Sequence, residues 1–115
     1  MITSNAFNEN VGSHFATIAL NLNVKQMVET QEYLSNQAYN VSLALHMISL
    51  WCLENGIKDK ALHNAIESVI ESLVVCLEQG CSVKRTKDVI LNMNKLEEVS
   101  NAYYVYLIKS QYKQS

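Results

Sequence analysis

The sequence predicts an all-α protein: an antiparallel bundle of three long helices plus a short N-terminal helix, which together make an irregular four-helix bundle. The 115 residues include no proline and three glycines, a composition that permits long uninterrupted helices. Apolar residues recur at alternating intervals of three and four, the spacing of a helix with one buried face. Similar segments at 52–57 and 76–81 each end an apolar stretch with a glycine. Such a glycine is typical of a helix C-terminus, where it adopts the left-handed conformation.

The N-terminal region divides the chain into two expected parts. Residues 1–12 are polar, rich in asparagine and end in Gly12. We therefore expect a flexible N-terminal arm there, followed by a single helical bundle domain over residues 13–115. Ser13 is a suitable N-cap for a short helix from about 14 to 22 that carries apolar residues on one face.

Three long helices are expected to follow in alternating directions. They are predicted over about 24–55, 59–79 and 82–112, and Asp59 and Ser82 are the expected N-caps of the second and third. The middle helix is about ten residues shorter than its neighbours, so the outer helices extend past it. The short N-terminal helix is expected to cover one overhang, and the other overhang has no obvious cover.

Composition and charge exclude several classes of function. The net charge is −2 and the only arginine is Arg85, whereas nucleic-acid binding requires many cations that neutralise phosphates. The first residues lack the blocks of a signal peptide, and the longest apolar-rich run, 41–53, is too short to span a bilayer. Three cysteines, an odd number, favour reduced thiols. We therefore expect a cytoplasmic protein without membrane association, and nucleic acid is an unfavoured partner.

No group of side chains in the sequence indicates catalysis or a cofactor. Cys52 and His63 are predicted at the same end of the bundle, but no further ligand follows at a familiar metal-binding spacing. The other two cysteines are predicted at the opposite end. His46 lies on a polar strip with Ser42 and Ser49, one turn apart. A histidine and a serine at positions i and i+3 could act as base and nucleophile, yet residues on a shared helix face rarely converge on one substrate atom. We expect a protein that is not an enzyme and that holds no metal and no cofactor.

Two apolar surfaces exceed what three long helices can bury. Consecutive apolar and aromatic residues near the C-terminus cover every face of the third helix, and the later half of the first long helix is apolar almost all round. Tyrosine is enriched at protein interfaces. The candidate protein-binding residues are Tyr103, Tyr104, Tyr106, Ile108, Tyr112, Leu43, Met47 and Trp51. The alternative is that part of the C-terminal group completes the core and the rest stays exposed without a partner.

Three basic residues crowd the first turn of the third helix. Lys84, Arg85 and Lys87 lie where the helix dipole is already positive, so their placement is unfavourable unless something compensates. Either nearby acids supply the compensation, or the three side chains form a docking site for an anion or an acidic partner.

The favoured hypothesis is a non-enzymatic helical protein that acts by protein–protein contact, as an inhibitor, adaptor or chaperone of a larger complex. Its partner is another protein, a second copy in a homodimer, or both. Residues 14–19 resemble the start of a small helical anti-CRISPR protein. That resemblance covers six residues and implies a class of compact phage or mobile-element proteins that inhibit larger machines by binding them. The alternative hypothesis is a dimeric nucleic-acid-associated regulator that uses the basic start of the third helix.

Overall fold

The computed structural model describes the backbone of residues 2–114 and the side chains of residues 2–112. Within this range the protein is helical and contains no strand, so the predicted all-α four-helix bundle is confirmed. The elements are α1 (Ser4–Phe7), a π segment (Asn8–Gly12), α2 (Ser13–Asn23), α3 (Met27–Glu54), α4 (Lys60–Gln79) and α5 (Val83–Gln114). The first three run on as one helix, called here the N-terminal helix. Met1 and Ser115, which the predicted arm and bundle include, lie outside the described residues.

Helices α4 and α5 form the centre of the bundle, and the other two helices pack on them. α4 packs along both α3 and α5, and the N-terminal helix packs along α5. The Asn23 amide donates to Asn94 at 2.8 Å, and the Ser4 hydroxyl donates to Gln111. These contacts show that the N-terminal helix runs antiparallel to α5 and covers its C-terminal half. Every helix contributes large buried side chains, among them Phe7, Phe15, Leu34, Leu45, Leu62, Leu73, Met93 and Leu96.

The N-terminal segment differs from the expected flexible arm. The Phe7 and Val11 side chains are completely buried, and the Phe7 ring meets the Tyr103 ring edge-on with centroids 5.0 Å apart. Thr3 caps the first turn by accepting from the Ala6 amide at 3.1 Å. Residues 4–12 are therefore part of the bundle, because apolar side chains recur every fourth residue among the asparagines.

The π segment explains how these apolar side chains reach one face. In an α-helix, residues four apart are offset by about 40° around the helix axis. Phe7, Val11 and Phe15 would therefore rotate progressively away from the side that faces the core. A π segment takes more residues per turn and removes part of that drift. The helix does not start at Ser13 as predicted. The Ser13 hydroxyl donates to the Glu9 carbonyl at 3.3 Å, inside a continuous helix.

The later helix starts follow the sequence prediction. The Asp59 carboxylate accepts from the Leu62 amide at 2.9 Å, and the Ser82 hydroxyl accepts from the Arg85 amide at 3.2 Å. Both residues are N-caps, since each satisfies one of the free amides of a first turn. Within the described part of the chain, no helix has the length and apolar character needed to cross a membrane.

The two repeated glycines end their helices in different ways. Gly56 has φ +75°, and the Ile57 and Gly56 amides donate back to the Cys52 and Leu53 carbonyls at 2.9 and 3.2 Å. This is the Schellman ending that the sequence predicts, with Ile57 buried. Gly80 instead combines φ +89° with ψ 161°, an extended conformation that only glycine adopts readily. The second ending is therefore not the predicted left-handed one.

Candidate functional site

The outer face of α3 is an exposed apolar surface in the described structure. Five side chains there leave between 47% and 64% of their surface exposed. We call them the α3 stripe, and they are Tyr39, Leu43, Met47, Leu50 and Leu53. They follow one another at intervals of four or three residues, so they share one helix face. The α3 stripe is a continuous apolar surface about 20 Å long at the usual helical rise.

The same stretch of α3 carries no charge that would keep it in water. No Asp, Glu, Lys or Arg occurs between Glu32 and Glu54. The opposite face of this helix supplies the core through Leu34, Val41 and Leu45, which are buried. Helix α3 is therefore apolar on both sides, whereas one apolar side is enough to attach a surface helix to its core.

The predicted residues of α3 fall into two groups. Leu43 and Met47 are exposed and lie in the α3 stripe. Trp51 is half-buried and packs against the core, so most of its ring serves the fold. Tyr39, Leu50 and Leu53 were absent from the predicted set. They were detectable in the sequence, because they continue the helical spacing of Leu43 and Met47 in both directions.

The predicted polar strip of Ser42, His46 and Ser49 is divided between the interior and the surface of the bundle. His46 is exposed beside the α3 stripe, and the buried Ser42 hydroxyl donates to the Tyr39 carbonyl at 2.8 Å. The hydroxyl is thus directed along its own helix. Ser49 is half-buried.

The predicted C-terminal group is divided between core and surface. Tyr103 contacts Phe7 and lies 5.7 Å from the Tyr106 ring, centroid to centroid. Burial, followed by the neighbouring Tyr106 and Asp59, raises the pKa of Tyr103 above its ordinary value. Tyr104 is half-buried against the core.

The remaining residues of this group border the N-terminal helix or face outward. Ile108 and Tyr112 line an open groove together with Ser4 and Gln111. Tyr106 and Tyr112 expose 56% and 78% of their side chains. The overhang of α5 is therefore covered on one side, and its tyrosines form a smaller exposed surface that also contains Lys109.

The two predicted contact surfaces lie on different helices with α4 packed between them. Close contacts join α4 to α3 and α4 to α5 far more extensively than they join α3 to α5. The α3 stripe points outward from its own helix, away from α4. We therefore treat the α3 stripe and the C-terminal tyrosines as two separate surfaces.

The basic residues at the start of α5 are also divided. The Arg85 guanidinium donates to the Gln79 carbonyl at 2.8 Å, the Gly80 carbonyl at 3.3 Å and the Gln79 side-chain oxygen at 3.0 Å. Arg85 thus binds the C-terminal end of α4, where the helix dipole is negative, and this contact compensates its position on α5. Lys84 and Lys87 are exposed.

Cys52 and Cys76 behave as small buried side chains, and Cys81 is half-buried. Burial raises the pKa of the Cys52 thiol to about 11. Burial and the adjacent Cys81 raise that of Cys76 to about 11. Both thiols are therefore protonated at neutral pH and poor nucleophiles. His63 lies 2.8 Å from the Ile57 carbonyl through its Nε2 atom. Among the described residues, no three His, Cys, Asp or Glu side chains come together as a metal site.

Comparisons with models of protein families, with curated proteins and with solved structures give no match for this chain.

Proposed function

We propose that this protein acts by protein–protein contact, without catalysis of its own, and that the α3 stripe is its contact surface. One observation carries the proposal: five large apolar side chains lie half-exposed along one uncharged helix face. Exposed apolar side chains scattered singly are ordinary on protein surfaces, whereas a contiguous apolar patch marks a binding surface.

The size of the α3 stripe fits such a role. Its five side chains expose on the order of 500 Å² of largely apolar surface, in the upper range of the largest patches on monomeric proteins, which are often functional. Uncharged polar residues border it, namely Asn36 and Asn40, and His46 lies at the middle of its length; all three are exposed. An apolar centre with a polar rim is the usual composition of a protein interface.

The proposal covers the roles of inhibitor, adaptor or chaperone of a larger assembly. In each of these roles a rigid helix face is presented to a partner that supplies a matching apolar surface. The bundle supports this use because the buried side of α3 is fixed by the core, so little conformational freedom is lost on binding. The exposed tyrosines of α5 provide a second, smaller contact surface in this proposal.

The experiment compares the proteins captured from the source lysate by three tagged chains: wild type, Leu50→Lys and Leu91→Lys. Leu91 is the matched control, since it is 66% exposed and lies on α5, outside the α3 stripe. Circular dichroism and thermal unfolding establish that all three chains fold. We expect Leu50→Lys to recover at least about tenfold less partner, because a lysine ammonium buried without a counter-charge costs more than about 1.4 kcal/mol.

The control must retain its partner at the wild-type level. Equal recovery of the same partners by all three chains would overturn the proposal, because binding would then not use the α3 stripe.

A further inference from the structure

We infer, resting on the proposed function, that the partner of the α3 stripe is a second copy of this chain. The two α3 helices pair antiparallel about a two-fold axis close to His46. Three properties of the α3 stripe carry this inference: its sequence symmetry, the charges at its ends and its area.

The α3 stripe presents similar side chains when followed in either direction. An antiparallel pair centred near His46 places Tyr39 opposite Leu53 and Leu43 opposite Leu50 of the other copy. Met47 then lies beside the axis with its counterpart. Each contact made in one direction is repeated in the other, as a two-fold interface requires. Apolar side chains meet apolar side chains along the whole stripe, so no position is left opposite a charge.

The charges at the ends of the α3 stripe favour the antiparallel direction over the parallel one. Glu32 lies two turns before Tyr39 on the same helix face, and Glu54 follows Leu53; both are exposed. A parallel pair would place each glutamate beside the same glutamate of the other copy, where the two like charges repel. An antiparallel pair moves each glutamate away from its own counterpart, and Glu32 of one copy then lies about 9 Å along the axis from Glu54 of the other. It also brings Glu32 towards the exposed Lys58 and Lys60, beyond the other end of α3.

The exposed area is sufficient for a specific but weak dimer. Two copies of the α3 stripe together bury about 1,000 Å², near the lower limit of specific protein interfaces. The dimer is therefore expected to exchange with monomer as the concentration changes. Because no side chain of the stripe is charged, desolvation of the interface is not opposed by the cost of burying ions.

Site-directed cross-linking tests both the partner and the direction. Single cysteines are introduced as His46→Cys, Tyr39→Cys or Leu53→Cys in a Cys81→Ser background, which leaves only the buried native thiols of Cys52 and Cys76. A short bis-maleimide that spans about one helix–helix distance is applied to each folded protein. The background protein without an added cysteine gives the level of unspecific cross-linking.

The antiparallel pair predicts a pattern across the three positions. His46→Cys lies near the axis and gives about tenfold more cross-linked dimer than Tyr39→Cys alone, because proximity raises its effective concentration. A mixture of Tyr39→Cys with Leu53→Cys gives a cross-linked dimer that neither variant gives alone. Strong cross-linking of Tyr39→Cys to itself would overturn the antiparallel arrangement.

Failure of this inference is distinguishable from failure of the proposed function. If no cysteine variant cross-links above the background protein while Leu50→Lys loses its captured partner, the second copy is not the partner. In that case the α3 stripe remains a contact surface for another protein. If Leu50→Lys also retains every captured partner, both proposals are overturned.

Discussion

Arg85 holds two helix ends together from the first turn of α5. Its guanidinium donates hydrogen bonds to the carbonyls of Gln79 and Gly80 at the end of α4. Arg85 therefore caps the C-terminus of the preceding helix. From the sequence alone, nothing explains why Lys84, Arg85 and Lys87 lie at the positive end of the α5 dipole. The explanation requires knowing how the chain turns between α4 and α5, and this turn depends on the unusual conformation of Gly80.

Replacing Arg85 tests this role. Arg85→Ala is expected to lower the free energy of unfolding by about 1 kcal/mol, since charge-assisted hydrogen bonds to helix-end carbonyls are lost at a partly exposed site. Lys87→Ala is the control, because Lys87 is exposed, and its effect is expected within about 0.5 kcal/mol. Urea unfolding of both variants provides the comparison. Equal effects would contradict the capping role.

Cys52 gives the bundle a dependence on alkaline pH. Its thiol has a pKa of about 11 in the folded protein against an ordinary value of 9.0. The unfolded chain therefore loses this proton first, and stability falls as the pH rises from about 9 to 11. Cys76, raised to about 11 as well, contributes in the same window. Below pH 9 neither thiol affects the slope.

Removing one thiol isolates this contribution. The midpoint of urea unfolding of Cys52→Ala is expected to fall less steeply between pH 9 and 11 than that of the wild type, whatever the absolute stability of the variant. The slope of this midpoint against pH is the measured quantity, because the substitution also changes the stability that the protein has at every pH. Identical slopes would show that Cys52 is not buried in solution.

At the scale of the helices, the two glycines that end α3 and α4 differ in how strictly their backbone conformation requires glycine. Gly56 is left-handed, which alanine tolerates at a cost of about 1 kcal/mol. Gly80 lies in a region that is essentially restricted to glycine. No other atom lies within 4 Å of an added Cβ at either position, so the backbone alone determines the cost.

Alanine substitutions at three glycines test this difference. Gly80→Ala is expected to lose about 2–3 kcal/mol of unfolding free energy and Gly56→Ala about 1 kcal/mol. Gly12→Ala, in helical backbone, is expected to be neutral or slightly stabilising, provided that the exposed Asn8 side chain moves aside. Thermal and urea unfolding measure all three. A Gly80→Ala variant as stable as wild type would contradict the described turn.

The N-terminal helix makes a further prediction at this scale. Phe7→Ala is expected to lower the free energy of unfolding by about 3–5 kcal/mol, the usual cost of truncating a buried phenylalanine. Asn5→Ala, at an exposed position of the same helix, is expected to change it by less than about 0.5 kcal/mol. Should Phe7→Ala prove harmless, residues 4–12 would not pack as described.

The sequence predicted those elements whose signals are local. Asp59, Ser82 and Gly56 act within one turn of themselves, so the ends they define are found without tertiary information. The first part of the N-terminal helix, residues 4–12, was missed because polar composition outweighed two apolar residues, Phe7 and Val11. Their role becomes clear only when α5 is present to receive them.

The candidate site was predictable to a lesser extent for a related reason. Excess apolar surface on α3 is visible in the sequence, and Leu43 and Met47 were found in this way. Which residues remain exposed depends on how neighbouring helices cover each face. Trp51 is therefore half-buried against the core. The packing of Phe7 and Ser4 against α5 likewise leaves some C-terminal tyrosines half-buried and others exposed.

At the scale of the whole molecule, the bundle is closed unevenly. The protein measures 50 × 25 × 18 Å, and α5 is covered by α4 and by the N-terminal helix, whereas α3 packs mainly on α4. One long apolar face of α3 is left without a neighbour in the described structure of the single chain. We attribute to this face the association that defines the proposed function.

Light scattering of the purified chain at increasing concentration tests this association most directly, with Leu50→Lys and Leu91→Lys measured beside the wild type. The α3 pairing predicts that wild type and Leu91→Lys rise from 13.0 kDa towards twice that mass, while Leu50→Lys stays at 13.0 kDa. If the wild type remains at the monomer mass throughout, or if all three chains associate equally, then α3 does not pair with a second copy.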